Sequence, residues 1–428
     1  MDSTKRPFGF WMATALVVGG MIGSGIFMMP VALAPFGWTG TIAWVISIAG
    51  GLCIAFVISR LAQILPHASG AVAVTGAALG ELVGVLVGWS YWVSVWCANA
   101  AIAIAATSYL AALVPSLDAT PLIGALTAVA LLWLLTLLNL AGARRAGQFQ
   151  VVTTLLKLTP LVAVVIIAAM LGASGQAHPA PIPTAHALFA NIGAAVTLTL
   201  FPLVGLEAAG VAAERVQDAA KNVMRASMAG TALVGLLYIV TCSAIVLLLP
   251  PDEVAHASAP FALFVGHYWG AGASKVIAAF GAISAIGALN CWVLIQGEVP
   301  LGMARAGLLP VWFARVSKRD VPVRVLVLSS ALATVLILTT SSPTLGGVFE
   351  FVAILTTCAT LWLYLAACVA GLVRRVAVPA ALVGLPFALF AFWGAGWKAC
   401  GLSLLLMLTT VPLYVLRPRG LRSAEQPA

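Results

Sequence analysis

The chain has 428 residues, of which 62% are hydrophobic and only 8% are charged, whereas soluble domains carry roughly 25% charged residues. This composition excludes a soluble globular protein. The formal net charge of +9 would suit a nucleic-acid-binding protein, but no basic stripe is interleaved with stacking aromatic residues, so that class is excluded as well.

Uninterrupted apolar runs of about 20 residues predict transmembrane helices, and we count twelve of them. In chain order the predicted spans cover residues 9–33, 38–60, 82–112, 121–140, 149–172, 187–212, 222–249, 272–297, 323–340, 347–372, 377–395 and 399–416. Span 1 is too long and too glycine-rich for a cleaved signal peptide. We therefore predict an all-α membrane protein with a single transmembrane domain over residues 1–428.

The placement of basic residues predicts the orientation of these spans. With the N-terminus inside, all but three of the 21 Lys and Arg residues fall in cytoplasmic segments, as the positive-inside rule requires. Of the three exceptions, Lys275 and Lys398 fall outside and Lys157 lies within span 5. We predict a bacterial-type inner-membrane protein with both termini in the cytoplasm.

Two predicted spans are interrupted near the middle of the membrane by glycine-rich or polar sequence. Span 1 contains Gly23–Gly25, and span 6 contains Gly205–Glu207. The breaks lie five spans apart, and this odd number gives the two halves opposite orientations in the bilayer. Paired interrupted helices in inverted halves indicate a substrate site at the midplane. The predicted repeats cover residues 9–172 and 187–372, and two additional helices cover 377–416.

The break at Gly23–Gly25 is a candidate anion site. Glycine and serine free the backbone from strict helical bonding, so the N–H groups that begin the next half-helix can hold an anion with help from the helix dipole. A substrate carboxylate is the natural ligand. The alternative is that these glycines only let helices pack closely.

Two ionisable residues lie well inside predicted spans, where charged side chains are costly and usually functional. Glu207 is the acidic one, and we predict a role in gating or coupling, with a structural hydrogen-bond hub as the alternative. Lys157 is the basic one, and it could carry a proton or substitute for a bound sodium ion. Its alternative is a lysine that snorkels to the cytoplasmic surface.

Aromatic and amide side chains within the spans are candidates for a pocket lining. Phe201 lies one turn before the span-6 break, Trp292 is central in span 8, and Tyr91 and Asn99 lie in span 3. Such rings can cover a ligand or stack on a cation, and buried amides need partners. The alternatives are ordinary packing for the rings and helix linkage for the amides.

Catalysis and metal binding find no support in the sequence. All five histidines lie in connections or at span ends, so Ser24 has no membrane-buried base as a partner. The seven cysteines fall in or beside apolar spans without metal-ligand spacing to a histidine, which favours packing roles. We predict no enzyme activity, no metal and no cofactor.

A family resemblance is carried by four parts of the sequence: Val17–Phe27, Trp96–Asn99, Phe201–Glu207 and Trp292. Together they resemble the amino acid–polyamine–organocation transporters, most closely the arginine/agmatine-type and related basic amino acid/polyamine antiporters. The likeness covers nearly the whole chain. It implies a LeuT-type 5+5 inverted repeat with two extra helices and alternating access.

The resemblance also implies roles for individual residues. The implied substrate-binding residues are Ile22, Gly23, Ser24, Gly25, Asn99, Ile102, Phe201, Val204, Trp292 and Tyr364. The implied gating and coupling residues are Glu207, Lys157 and Tyr91. By this likeness the span-1 backbone takes the substrate carboxylate and carbonyls near the span-6 break take the α-amino group.

Two positions depart from the arginine/agmatine type. Those antiporters have Trp at the position of Phe201, where it stacks on the guanidinium, and Phe is the poorer cation–π partner. They have an apolar residue at the position of Lys157, whereas other superfamily members have a lysine there that takes the place of a sodium ion.

Three functional hypotheses follow from the sequence. The leading one is sodium-independent exchange of a cationic amino acid for a related amine or amino acid, as in arginine/agmatine antiport. The alternative is a proton-coupled permease or exporter of neutral amino acids, which Phe201, Lys157 and Ile102 favour. A non-transporting sensor or a channel is the third, although no repeated filter or ring of like charges is present. The expected partners are a small amino acid or amine and membrane lipid, with protons and a homodimer as open possibilities and no nucleic acid.

Overall fold

The computed structural model describes residues 9–65, 70–140, 156–206, 218–318, 320–340 and 344–415, and within these ranges it is helical without strands. Its α-helices are α1 (Phe10–Met21), α2 (Ser24–Leu33), α3 (Trp38–Ile64), α4 (Gly70–Leu79), α5 (Glu81–Ala111), α6 (Pro121–Leu140), α7 (Leu158–Ser174), α8 (Ala185–Phe189), α9 (Ile192–Leu200), α10 (Ala219–Leu248), α11 (Pro251–Ala255), α12 (Pro260–Trp269), α13 (Ala271–Arg305), α14 (Val323–Thr339), α15 (Leu345–Val373), α16 (Val378–Leu408) and α17 (Thr410–Val415). Short 3-10 turns cover Ala34–Phe36, Pro115–Asp118, Phe201–Leu203 and Val311–Ala314. Helices are expected here because a lipid-facing backbone must satisfy its own hydrogen bonds.

Seven helices among the described residues are long and apolar enough to cross a membrane: α3, α5, α6, α10, α13, α15 and the run from α16 to α17. The membrane-protein prediction is therefore confirmed, while the count of twelve spans stays a prediction. Five spans account for the difference. The described parts of spans 1, 5, 6 and 9 form shorter helices, and residues 149–155 of span 5 and 207–212 of span 6 lie outside the described residues. Spans 11 and 12 form one helical run with a kink at Gly396, where φ is 77°.

Helix α5 forms the centre of the bundle. Every residue from Val87 to Tyr109 is buried, and the helix packs against α13 and α15. Lipid gives no hydrophobic driving force for this association, so tight packing through small residues must supply it. Gly281 of α13 lies directly against the Tyr109 ring, where an added Cβ atom would overlap ring carbons.

Candidate functional site

The interruption predicted in span 1 is present between α1 and α2. Helix α1 ends at Met21, and Ile22 and Gly23 leave the helical conformation before α2 begins at Ser24. Gly23 is extended, with φ −116° and ψ −164°. The break thus lies at Ile22–Gly23, slightly earlier than the predicted Gly23–Gly25, because Ser24 and Gly25 already belong to the first turn of α2.

The N-terminus of α2 is suited to hold an anion. The first N–H groups of a helix have no partner inside it, and they carry the positive end of the helix dipole. The N-cap residue of α2 is Gly23, which has no side chain that could cap these amides. Since glycine has no side chain to cover these amides, a carboxylate could approach them.

The C-terminus of α1, on the other side of the break, is held by donors from two neighbouring helices. The Gly19 carbonyl accepts from Nζ of Lys157 at 3.2 Å. The Met21 carbonyl accepts from the Tyr238 hydroxyl at 2.8 Å and from the Gly23 amide at 2.7 Å. A cation and a hydroxyl therefore neutralise the negative end of the α1 dipole.

Lys157 points into the protein. Its side chain is only 2% exposed, and its ammonium reaches across to a backbone carbonyl of α1. This geometry is inconsistent with the snorkelling alternative. Lys157 ties the start of α7 to the broken helix, so the roles open to it are structural support of the break and coupling.

The second break follows α9. A 3-10 turn covers Phe201–Leu203, Val204 is extended with ψ 131°, and Gly205 has φ 108°. This backbone conformation is strained for any residue with a Cβ atom. Glu207 lies outside the described residues, so its gating role stays a prediction.

The two breaks lie side by side. A Cβ atom built on Gly205 would lie 3.5 Å from the Gly20 carbonyl oxygen, and one built on Gly25 would lie 3.0 Å from Cε1 of Phe201. The Phe201 ring also meets the ring of Phe349 from α15 edge to face, with 5.7 Å between centroids. Phe201 therefore lies directly over the start of α2, between the two broken helices.

The remaining predicted site residues are all buried, on α5, α13 and α15 or within the breaks. Ala288 of α13 approaches the first break, since a Cβ atom on Gly23 would lie 3.5 Å from its Cβ, and Trp292 follows one turn later. The exposed fractions are 1% for Ile22, 7% for Tyr91, 0% for Asn99, 3% for Ile102, 4% for Val204, 7% for Trp292 and 0% for Tyr364.

The buried amides of Asn99 and Asn290 both contact other helices. Asn99 donates from Nδ2 to Oε1 of Gln296 at 2.8 Å. Asn290 accepts at Oδ1 from Nδ2 of Asn139 at 3.1 Å, which fits the helix-linking alternative. A polar side chain in an apolar span was the available signal for Gln296 and Tyr238, and the sequence analysis used it for neither residue.

We expect Tyr238→Phe to weaken substrate binding about two- to tenfold, because one hydrogen bond to the Met21 carbonyl contributes about 0.5–1.5 kcal/mol. Equilibrium binding to purified protein measures the change. Tyr268→Phe, on α12, serves as the control that removes a hydroxyl elsewhere. Unchanged affinity in Tyr238→Phe would mean that this hydroxyl does not hold the break in its binding geometry.

A separate cavity of about 580 Å³ lies at the start of α1 and α10, far along both helices from the breaks. Its lining residues are Phe10, Asn222, Met224, Arg225, Met228 and Ala229. None of them belongs to the predicted site.

Comparison with known proteins gives consistent matches over nearly the full length. A family model described as amino acid permease matches residues 8–423. The chain is 29% identical to the putrescine transporter PotE of Haemophilus influenzae over 416 residues, which is 93% of this chain and 94% of that protein. It is 30% identical to the cadaverine/lysine antiporter of Escherichia coli K12 over 355 residues, covering 81% of this chain and 78% of that protein.

Proposed function

Because the chain belongs to the amino acid permease family and is a membrane transporter rather than an enzyme, we propose that it exchanges a cationic amino acid for a related amine without sodium. The meeting of the two breaks is the observation that carries this proposal. Gly25 at the start of α2 lies against Phe201 of the second break, so the first-turn amides of α2 and the backbone carbonyls of the second break lie within one small region. An amino acid needs both, because it carries a carboxylate and an ammonium.

The substrate would use the two breaks differently. Its carboxylate binds the first-turn amides of α2, where the dipole favours an anion. Its α-amino group donates to carbonyls near Phe201 and Val204. The side chain then extends along α13 towards Trp292. Ile22, Ile102 and Tyr364 complete the lining, and Tyr91, Lys157 and Glu207 act in gating or coupling.

We propose an alkyl amine such as lysine or ornithine, with its diamine as exchange partner, in preference to the arginine/agmatine pair. Similarity to a putrescine transporter and a cadaverine/lysine antiporter supports this cargo. The chemistry of Phe201 supports it as well. A planar guanidinium gains from stacking on a broad aromatic face, whereas a compact ammonium is satisfied by oxygen acceptors.

The proposed architecture has twelve spans, with inverted repeats over 9–172 and 187–372 and both termini in the cytoplasm. The side-by-side contact of Gly205 with the Gly20 backbone supports it, because inverted repeats bring their broken helices together at the midplane. Protons as coupling ion and a homodimer stay predictions.

Counterflow into reconstituted vesicles tests the proposed exchange. Vesicles are preloaded with unlabelled lysine, ornithine, cadaverine, putrescine, arginine or agmatine, and uptake of labelled lysine is measured in sodium-free buffer. We expect lysine and cadaverine preloading to accelerate uptake several-fold over empty vesicles. If none of the six compounds accelerates uptake of labelled lysine, the proposal that the protein exchanges cationic substrates is wrong.

A proton-coupled permease of neutral amino acids is the second candidate, and one observation favours it. The ammonium of Lys157 is buried against the first break. A change in its protonation would alter its hydrogen bond to the Gly19 carbonyl of α1. Leucine uptake driven by a pH gradient, and lost in Lys157→Ala, would support this function. Leucine uptake that ignores the gradient would reject it.

We expect Phe201→Trp to improve arginine binding relative to lysine by up to about 1 kcal/mol, or about fivefold, because indole is the stronger cation–π partner. Competition of each amino acid against labelled lysine measures the ratio. Phe189→Trp, on the exposed helix α8, is the matched control. Equal or weaker arginine affinity in Phe201→Trp would contradict the assignment of this ring to the pocket.

A further inference from the structure

A continuous chain of buried amides and hydroxyls links four helices next to the proposed pocket. Asn99 of α5 donates to Gln296 of α13 at 2.8 Å. Gln296 donates from Nε2 to the Ser330 hydroxyl of α14 at 2.9 Å. The Ser330 hydroxyl lies 2.8 Å from that of Thr136 on α6. All four side chains are fully buried. We call these four residues the amide–hydroxyl chain.

The direction of every hydrogen bond in the amide–hydroxyl chain is fixed from its far end. Thr136 donates its single hydroxyl proton to the Leu132 carbonyl at 2.8 Å, and a carbonyl can only accept. Thr136 must therefore accept from Ser330, so Ser330 accepts from the amide nitrogen of Gln296. A second Gln296 contact, from Nε2 to the Leu326 carbonyl at 3.5 Å, has the same polarity.

This polarity sets which end of the Asn99 amide faces Gln296. Since Oε1 of Gln296 is an acceptor, Asn99 must offer its NH₂ group, and an amide flip would place two oxygens in contact. The carbonyl oxygen Oδ1 of Asn99 then points elsewhere. It is buried and has no hydrogen-bond partner among the described residues, although buried carbonyl oxygens are normally paired.

The position of Gln296 along α13 shows how far the Asn99 carbonyl oxygen lies from the first break. Ala288 of α13 contacts Gly23 in the first break. Gln296 follows it by two helical turns, a rise of about 12 Å, with Trp292 between them. The Asn99 amide is therefore bonded to α13 about two turns beyond the carboxylate site, in the direction in which the side chain of a bound amino acid would extend past Trp292.

We propose that Gln296 is a positioning residue that holds the Asn99 carbonyl oxygen towards the side-chain ammonium of the substrate. This inference rests on the proposed function. It assigns the preference for an amine-bearing side chain to a residue that does not itself touch the ligand. Trp92 braces the same residue, since its Nε1 donates to the Gln296 backbone carbonyl at 3.1 Å.

Binding of lysine and of norleucine, which lacks only the terminal ammonium, tests this role on purified full-length protein. Gln296→Met keeps the length of the side chain and removes its hydrogen bonds. We expect it to weaken lysine binding about tenfold or more and to leave norleucine binding unchanged.

Two further variants complete the test. Gln63→Met makes the same substitution at the end of α3 and should leave the ratio of lysine to norleucine affinity unchanged. Ser330→Ala removes the next link and should lower this ratio less than Gln296→Met does, which keeps the inference testable if Gln296→Met does not fold.

The outcomes separate this inference from the proposed function. If the unmodified protein binds no cationic substrate, the proposed function fails and the role of Gln296 fails with it. If the unmodified protein prefers lysine and both Gln296→Met and Ser330→Ala leave that preference intact, the function stands and the positioning role is overturned. Equal losses for lysine and norleucine would also overturn it, because they indicate a purely structural contribution.

Discussion

Gly205→Ala is expected to lower the exchange rate about tenfold to a hundredfold. Gly205 has φ 108°, and a side chain in such a conformation costs about 1–3 kcal/mol. The space itself is adequate, since the new Cβ atom would lie 3.5 Å from the Gly20 carbonyl oxygen. The expected loss comes from backbone rotation that relieves the strain and turns the carbonyls of the second break away from the substrate.

Initial rates of lysine exchange in vesicles measure this effect at matched protein content. Gly172→Ala is the matched control, because Gly172 lies within α7 and an added Cβ atom there would meet open space. Its exchange rate should equal that of the unmodified protein. A normal rate in Gly205→Ala would mean that the left-handed backbone at this position is not needed for transport.

Lys157→Met is expected to lower exchange by about tenfold or more, because a hydrogen bond to a charged group contributes about 1.5–3 kcal/mol. The substitution leaves the Gly19 carbonyl without its donor and removes the positive charge from the C-terminal end of α1. Helix α1 would then be less firmly tied to α7 in the conformation that binds substrate.

The control for Lys157→Met is Lys275→Met at the exposed start of α13, which should exchange at the normal rate. Binding and exchange are measured on both variants. If Lys157→Met binds lysine normally but exchanges it slowly, the residue acts in the conformational cycle. Unchanged binding and unchanged exchange together would contradict any role for the contact with Gly19.

The two helix breaks could be predicted from the sequence because their cause is local. Glycine in an apolar span weakens a helix wherever it occurs, and the pairing of two such segments indicated where to look. The exact position was less accessible. Ile22 leaves the helix although isoleucine itself is compatible with one. The Met21 carbonyl beside it accepts a hydrogen bond from the Tyr238 hydroxyl of α10, a contact that the local sequence does not reveal.

Tertiary contacts explain what the sequence left open. A lysine eight residues into a span suits both burial and snorkelling, and only the position of the Gly19 carbonyl distinguishes them. The partner of Asn99 depends in the same way on how α5 packs against α13. The twelve spans stay a prediction for a related reason. The described helices of spans 1, 5, 6 and 9 are each shorter than 18 residues, and spans 11 and 12 form one helical run.

An electron cryomicroscopy map of the protein with bound lysine tests most directly whether the two breaks form one substrate site. We expect the lysine carboxylate beside the first-turn amides of α2 and the side-chain ammonium within hydrogen-bond distance of Asn99 Oδ1. Phe201 should lie against the bound molecule. Lysine bound elsewhere, for example in the cavity beside Phe10 and Arg225, with the region between the breaks empty would contradict this site.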